Sequence, residues 1–79
     1  TSCEPCPMCL AAIWWARISR IYYANTRADA ARIVFDDAEI YQEVARDLTD
    51  RRIPLVHCPN QEAVQAMREW TEKQDKIPY

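Results

Sequence analysis

Two cysteines separated by two residues give the chain its clearest chemical signal. Cys6 and Cys9 lie in residues 5–9 (PCPMC), where Pro7 suits the first turn of a helix. Positions i and i+3 of a helix share one face, and the free N–H groups at a helix start stabilise thiolates. Two thiolates placed in this way form half of a tetrahedral zinc site. The spacing alone leaves a pair of buried structural cysteines as the alternative.

The other two cysteines allow two further interpretations. Cys3 lies three residues before Cys6, which suggests an iron–sulfur cluster, but the bacterial ferredoxin run needs a fourth cysteine where Ile13 stands. With Cys58, the four thiols would instead bind a structural zinc in a non-catalytic module. The crowded spacing argues against a disulfide framework. It favours a reducing compartment, and we therefore expect a cytoplasmic protein.

The elements that must position these residues alternate between strand and helix. The predicted order is a strand end over 1–5, a helix over 8–16, a strand over 18–24, a loop with a helical turn over 25–34, a helix from 36 to 48, a strand over 53–57 and a helix from 59 onward. This order predicts an α/β layered sheet. The helix over 8–16 carries no charge on any face, which is typical of a buried helix. It needs cover on several sides, and we expect these 79 residues to supply little of that cover.

Length and composition limit what the chain can be. It has 79 residues, no glycine and a net charge of −2. We expect one domain at most, and the absence of glycine suggests part of a longer chain. The acidic balance argues against nucleic acid as a partner, because the arginines are scattered and offset by acids. The longest apolar run, over 8–16, is too short to span a membrane.

Several blocks of the sequence resemble the bacterial guanine deaminases of the cytidine deaminase-like superfamily. P-C-x-x-C is the second half of the zinc-deaminase signature H-x-E…P-C-x-x-C. The blocks that carry the resemblance are residues 1–13 (TSCEPCPMCLAAI), 13–17 (IWWAR), 35–37 (FDD), 40–41 (IY) and Tyr79. The first block also suits the tRNA adenosine deaminases, whereas the FDD block and the tyrosine favour the guanine branch.

The resemblance implies a fold, a metal and a reaction. The fold is the three-layer α/β/α cytidine deaminase-like fold, with residues 1–79 as the C-terminal half of a single zinc-dependent domain. Cys6 and Cys9 would ligate zinc, while a histidine ligand and a proton-shuttling glutamate would precede Thr1. His57 lacks a glutamate two residues later, so we expect a partly buried histidine at a strand end. The implied reaction hydrolyses guanine, or a related aminopurine or aminotriazine, to xanthine (or the corresponding product) and ammonia.

Acidic residues near the start of the 36–48 helix are candidates for a second proton-transferring group. In the guanine branch this segment lines the substrate pocket. The resemblance therefore gives Asp37 a role in substrate binding and catalysis, with Glu39 as a further catalytic candidate and Glu43 as a third. Helix capping by Asp36 and Asp37 is the alternative.

The C-terminal residues are implicated by the resemblance alone. In similar guanine deaminases this segment crosses to the partner subunit and caps its active site. The resemblance thus implies a domain-swapped homodimer in which Tyr79 contacts the substrate. Trp14 and Trp15 are expected in the core or at the dimer interface.

Overall fold

The computed structural model describes residues 1–79 and is mainly helical. In chain order it contains α1 (Pro7–Trp15), α2 (Arg27–Arg32), α3 (Ala38–Ala45), a short 3-10 helix (Leu48–Asp50) and α4 (Gln61–Glu72). The predicted helices over 8–16, from 36 and from 59 are confirmed, although α3 ends three residues before the expected Leu48. None of the helices has the length and apolar character needed to cross a membrane.

Local signals explain where the helices begin. α1 starts with Pro7, whose missing N–H would have no partner in the first turn. α2 begins with a capping box, in which Thr26 Oγ1 accepts from the Asp29 N–H and the Asp29 carboxylate accepts from the Thr26 N–H. α4 begins at a side-chain cap, because Asn60 Oδ1 accepts from the Ala63 N–H at 3.0 Å.

Two helices are followed by a residue in the left-handed conformation, a position that glycine often occupies. Arg17 after α1 and Val34 after α2 have φ angles of 59° and 72°, in the left-handed region. For residues with a Cβ this conformation costs about 1–2 kcal/mol each. Because the chain has no glycine, residues with a Cβ adopt this strained conformation at the two turns.

The strands predicted over 18–24 and 53–57 are not formed, so the α/β class is not confirmed in these residues. What remains is one parallel bridge between Cys3 and Asn25. Around it, the Asn25 N–H donates to Ser2 O at 2.9 Å and the Glu4 N–H donates to Asn25 O at 2.8 Å. A strand is defined by its hydrogen-bonded neighbours, and segment 18–24 has such a neighbour only at its end. The β-branched pattern thus gives extended backbone without a sheet.

The prediction that these 79 residues supply little cover for α1 is confirmed. No residue is buried, and Trp14 and Trp15 are 72% and 64% exposed. Among the helices, only α1 and α3 contact each other. The radius of gyration is 17.9 Å, whereas a compact chain of this length would have about 12 Å. With extents of 48 × 32 × 15 Å, the molecule is one layer thick. α1 therefore packs against another helix, α3, on one side only.

Candidate functional site

The predicted zinc ligands share a cavity with the predicted acid. A hollow of about 870 Å³ lies between the start of α1 and the segment that joins α2 to α3. Its lining includes Cys6, Cys9, Arg27 and Asp37, and Ile13 and Phe35 are among its apolar walls. The other thiol and carboxylate residues of the lining are Cys3, Glu4, Asp29 and Asp36. The volume falls in the range of small-molecule sites, about 300–1,000 Å³.

The two thiols are placed by the first turn of α1. Cys6 is the N-cap residue, and its carbonyl accepts from the Leu10 N–H at 2.9 Å. The backbone N–H of Cys9 lowers the pKa of Cys6, with further help from the Cys9 thiol. The hydrogen bond to Cys6 and the negative charge there raise the pKa of Cys9. Cys6 is therefore the first thiol to ionise, and the pair suits a borderline-soft cation such as zinc.

The remaining cysteines and the histidine do not join this pair. The structure brings no three metal-binding side chains together. Cys3 points its thiol at Thr26 O, 4.0 Å away, and Cys58 is exposed. The four-cysteine zinc module and the iron–sulfur cluster are therefore both wrong as interpretations of this structure. His57 is exposed and lies in no strand, so the partly buried strand-end position is also wrong.

Asp37 lies at the cavity wall with its carboxylate held by an arginine. Arg27 Nε donates to Asp37 Oδ1 at 3.2 Å, and the Asp37 side chain is only 15% exposed. Asp37 is the N-cap residue of α3 but makes no side-chain capping bond. The backbone N–H of Ala38 donates instead to Asp36 Oδ1, at 2.9 Å. Capping thus falls to Asp36, and the Asp37 carboxylate remains available to the cavity.

The other two acids lie away from the thiols. Glu39 pairs with Arg52 on the surface, and its side chain is 61% exposed. Glu43 pairs with Arg46 and also accepts from the Arg52 N–H. Neither lines the cavity. The structure therefore brings Asp37 to the thiol pair and does not bring Glu39 or Glu43 there.

Tyr79 contacts its own chain at the opposite end of α1. Its ring meets the Trp15 ring edge-on, with centroids 5.1 Å apart and planes at 71°. The Arg17 guanidinium lies 4.7 Å from the Tyr79 ring centroid. Trp15 ends α1, nine residues after Cys6 and six after Cys9. The Tyr79 contact is therefore about 9–13 Å along the helix from the thiols. Tyr79 does not line the cavity of this chain.

Three residues near the site were not assigned a chemical role from the sequence. The Tyr41 hydroxyl donates to Pro5 O at 2.6 Å, and the Arg27 guanidinium lies 3.9 Å from the Tyr41 ring centroid. The backbone N–H of Arg27 donates to Glu4 Oε1 at 3.4 Å. Burial raises the pKa of Tyr41. Tyr41 belonged to a resemblance block, but Arg27 looked like one more scattered surface charge.

The comparisons with known proteins find relatives of the whole chain. The chain is similar along its whole length to the guanine deaminase of Bacillus subtilis (strain 168), with 42% identity over 79 residues. It matches an X-ray structure of guanine deaminase from Bacillus subtilis with a TM-score of 0.88 and 41% identity, over 99% of this chain and 50% of that chain. No family model matches.

The backbone is therefore that of about half of a cytidine deaminase-like enzyme. Within that class the chain is a homologue of guanine deaminase, and the resemblance found in the sequence is confirmed. The chain spans 51% of the length of the curated relative that it matches. Residues 1–79 thus form an open layer 15 Å thick. In this form they match half of a larger folded enzyme.

Proposed function

We propose that residues 1–79 form the C-terminal part of a zinc-dependent α/β/α deaminase domain that hydrolyses guanine to xanthine and ammonia. The observation that carries the proposal is the cavity that holds Cys6, Cys9 and Asp37 together, in a chain 42% identical to guanine deaminase. We call residues 1–79, together with the segment that we propose to precede them, the complete protein. The four free cysteines favour a reducing compartment, the cytoplasm.

The donor set fits zinc. Cys6 and Cys9 offer two sulfur ligands from one helical turn, and neither thiol is tied up in a disulfide. We propose that the preceding segment adds a histidine ligand and a proton-shuttling glutamate, as the signature requires. When bound, zinc supplies the Lewis acidity that makes a water molecule nucleophilic at neutral pH.

Asp37 is proposed to orient and then protonate the leaving amino group. The exocyclic nitrogen of guanine leaves as ammonia only after it gains a proton that comes from the attacking water. The Asp37 carboxylate, directed by Arg27 Nε, first accepts a hydrogen bond from the amino group and so orients the ring. It then takes up a proton that the attacking water has released, and it passes that proton to the leaving nitrogen as the carbon–nitrogen bond breaks. Glu39, on the surface, stays a second candidate for this transfer.

The first experiment tests the substrate. We expect the complete protein, loaded with zinc, to release ammonia from guanine and to form xanthine in equal amount. Residues 1–79 alone are expected to release none, because the cavity lacks its third ligand and its glutamate. Ultraviolet absorbance of xanthine and a coupled ammonia assay measure both products. Aminotriazines and the adenosine of a tRNA stem-loop complete the panel; deamination of the tRNA alone would favour the rival enzyme and overturn the proposal.

The second experiment tests Tyr79 and the swapped homodimer. We propose that the Tyr79 ring leaves its contact with Trp15 and covers the substrate in the partner subunit. Deleting residues 77–79 is then expected to lower kcat/KM about 10-fold or more, since contacts that orient a bound substrate can change the rate by that much. Zinc content should stay at one per subunit, measured by elemental analysis. Loss of zinc or of the folded state would contradict a lid role.

A mixed dimer identifies which site Tyr79 serves. One subunit lacks residues 77–79, and the other carries Cys6→Ser. If the tail serves the partner, the intact zinc site receives the intact tail, and about half of the wild-type activity returns. If the tail serves its own subunit, the mixed dimer has no site with both parts, and its activity does not exceed that of the tail-deleted homodimer.

A further inference from the structure

A hydrogen-bonded cluster ties the zinc-ligand turn to the acid that we assign to catalysis. The Tyr41 hydroxyl of α3 donates to the carbonyl of Pro5, the residue before Cys6. The Arg27 guanidinium covers the Tyr41 ring and donates to Asp37. Three parts of the chain thus meet here: the turn before α1, the first residue of α2 and the start of α3.

The turn before α1 has few other ways to be fixed. Pro5 and Pro7 have no N–H, so this stretch of backbone offers few donors of its own. The Tyr41 bond spans 36 residues in sequence and is short, at 2.6 Å. It holds the backbone one residue from Cys6, where a small rotation would move the thiol. Glu4, one residue before Pro5, is held by its own N–H, which donates to Asn25 O at 2.8 Å, and by a longer bond from the Arg27 N–H to Glu4 Oε1 at 3.4 Å. Neither bond reaches the Pro5 carbonyl.

Arg27 connects the two halves of this cluster. Its planar guanidinium can stack on an aromatic ring and donate in its own plane at the same time, which a lysine ammonium cannot do. The side chain is 37% exposed, and the Asp37 side chain that it holds is 15% exposed. One residue therefore sets both the orientation of the Tyr41 ring and the direction of the Asp37 carboxylate.

We propose that Tyr41 and Arg27 are positioning residues that fix the Cys6–Cys9 turn relative to Asp37. This inference rests on the proposed zinc-dependent function. The partners that orient metal ligands typically contribute 10–100-fold to metal affinity or activity. The effect is passed through the Pro5 carbonyl and the Asp37 carboxylate, because neither positioning residue supplies a metal ligand in this arrangement.

The test uses the complete, zinc-loaded protein with Tyr41→Phe, which removes the hydroxyl and keeps the ring under Arg27. We expect zinc to pass to a chromogenic chelator about 10-fold faster. kcat should fall by a similar factor, while KM changes less than about twofold. Tyr23→Phe is the matched control, since it removes an exposed hydroxyl that forms no hydrogen bond, and it should release zinc at the wild-type rate. A release rate for Tyr41→Phe equal to that of the control overturns the proposal.

A double-mutant cycle tests whether the two residues act as one unit. Arg27→Lys keeps the charge and loses the planar face. We expect Tyr41→Phe/Arg27→Lys to release zinc no more than about twofold faster than the faster single variant, because residues in one network are not additive. Effects that multiply would refute a shared role. A wild-type protein without zinc would refute the proposed function itself, whereas a zinc-containing protein indifferent to Tyr41→Phe would refute only the positioning role.

Discussion

Replacing Cys6 or Cys9 by serine in the complete protein is expected to remove zinc and, with it, the hydrolysis of guanine. A serine hydroxyl stays protonated near neutral pH and is a poor ligand, whereas a thiolate is a strong one. Without the metal, the pKa of the attacking water rises from about 7 to its much higher value in bulk water. We therefore expect the turnover of guanine to fall by at least about 1,000-fold. Elemental analysis and the ammonia assay measure the two effects side by side.

Cys58→Ser is the matched control for this pair. Cys58 is exposed, free and outside the cavity, so its substitution should leave zinc content and turnover unchanged. Cys3 also lines the cavity, but its thiol is directed at Thr26 O, so only a small effect is expected for Cys3→Ser. If Cys6→Ser keeps a full equivalent of zinc, the ligand assignment is wrong. If Cys3→Ser or Cys58→Ser loses the metal, a different donor set must hold it.

The features predicted correctly from the sequence are those that depend on neighbours in the chain. Pro7 marks the start of α1, and Asn60 marks the start of α4, through signals that act within one helical turn. The spacing of Cys6 and Cys9 is also a signal within one helical turn, and it predicts that both residues lie on the same side, where they line one cavity. The capping box of Thr26 and Asp29 is an equally local signal, yet the sequence analysis described α2 only as a helical turn in a loop.

The features that could not be predicted depend on partners far along the chain or outside it. Residues 18–24 have the composition of a strand, but a strand forms only where another pairs with it. The apolar helix α1 indicates correctly that it needs cover, and that cover is not present in residues 1–79. Tyr41 and Pro5 are 36 residues apart, and no pattern in the sequence shows that they meet.

The position of the proposed catalytic acid depends on both kinds of information. The resemblance singled out Asp37 and Glu39, two residues apart, and gave no physical means of choosing between them. In the structure the α3 start turns Asp37 toward the cavity and leaves Glu39 on the surface with Arg52. The Arg27 contact, which is tertiary, is what separates the two acids.

Asp37→Asn in the complete protein is therefore the variant expected to lower turnover with zinc still bound. Asparagine has the same shape and keeps an oxygen that can accept from Arg27 Nε, so the cavity wall should be preserved. It cannot carry a proton to the leaving amino group. General acid–base catalysis contributes about 10²–10⁴-fold, and we expect kcat to fall by about 100-fold or more. KM should change only a few-fold, because one hydrogen bond to the amino group remains.

Variants of two neighbouring acids serve as controls for Asp37→Asn. Asp36→Asn keeps the oxygen that accepts from the Ala38 N–H, so capping and turnover should both be unchanged. Glu39→Gln breaks a surface ion pair of a kind that contributes about 0–1 kcal/mol to stability, and turnover should stay within about twofold. A large loss in Glu39→Gln together with normal turnover in Asp37→Asn would reverse the assignment. Equal losses in both would indicate that the carboxylates pass the proton in sequence, which the surface position of Glu39 in this structure does not favour.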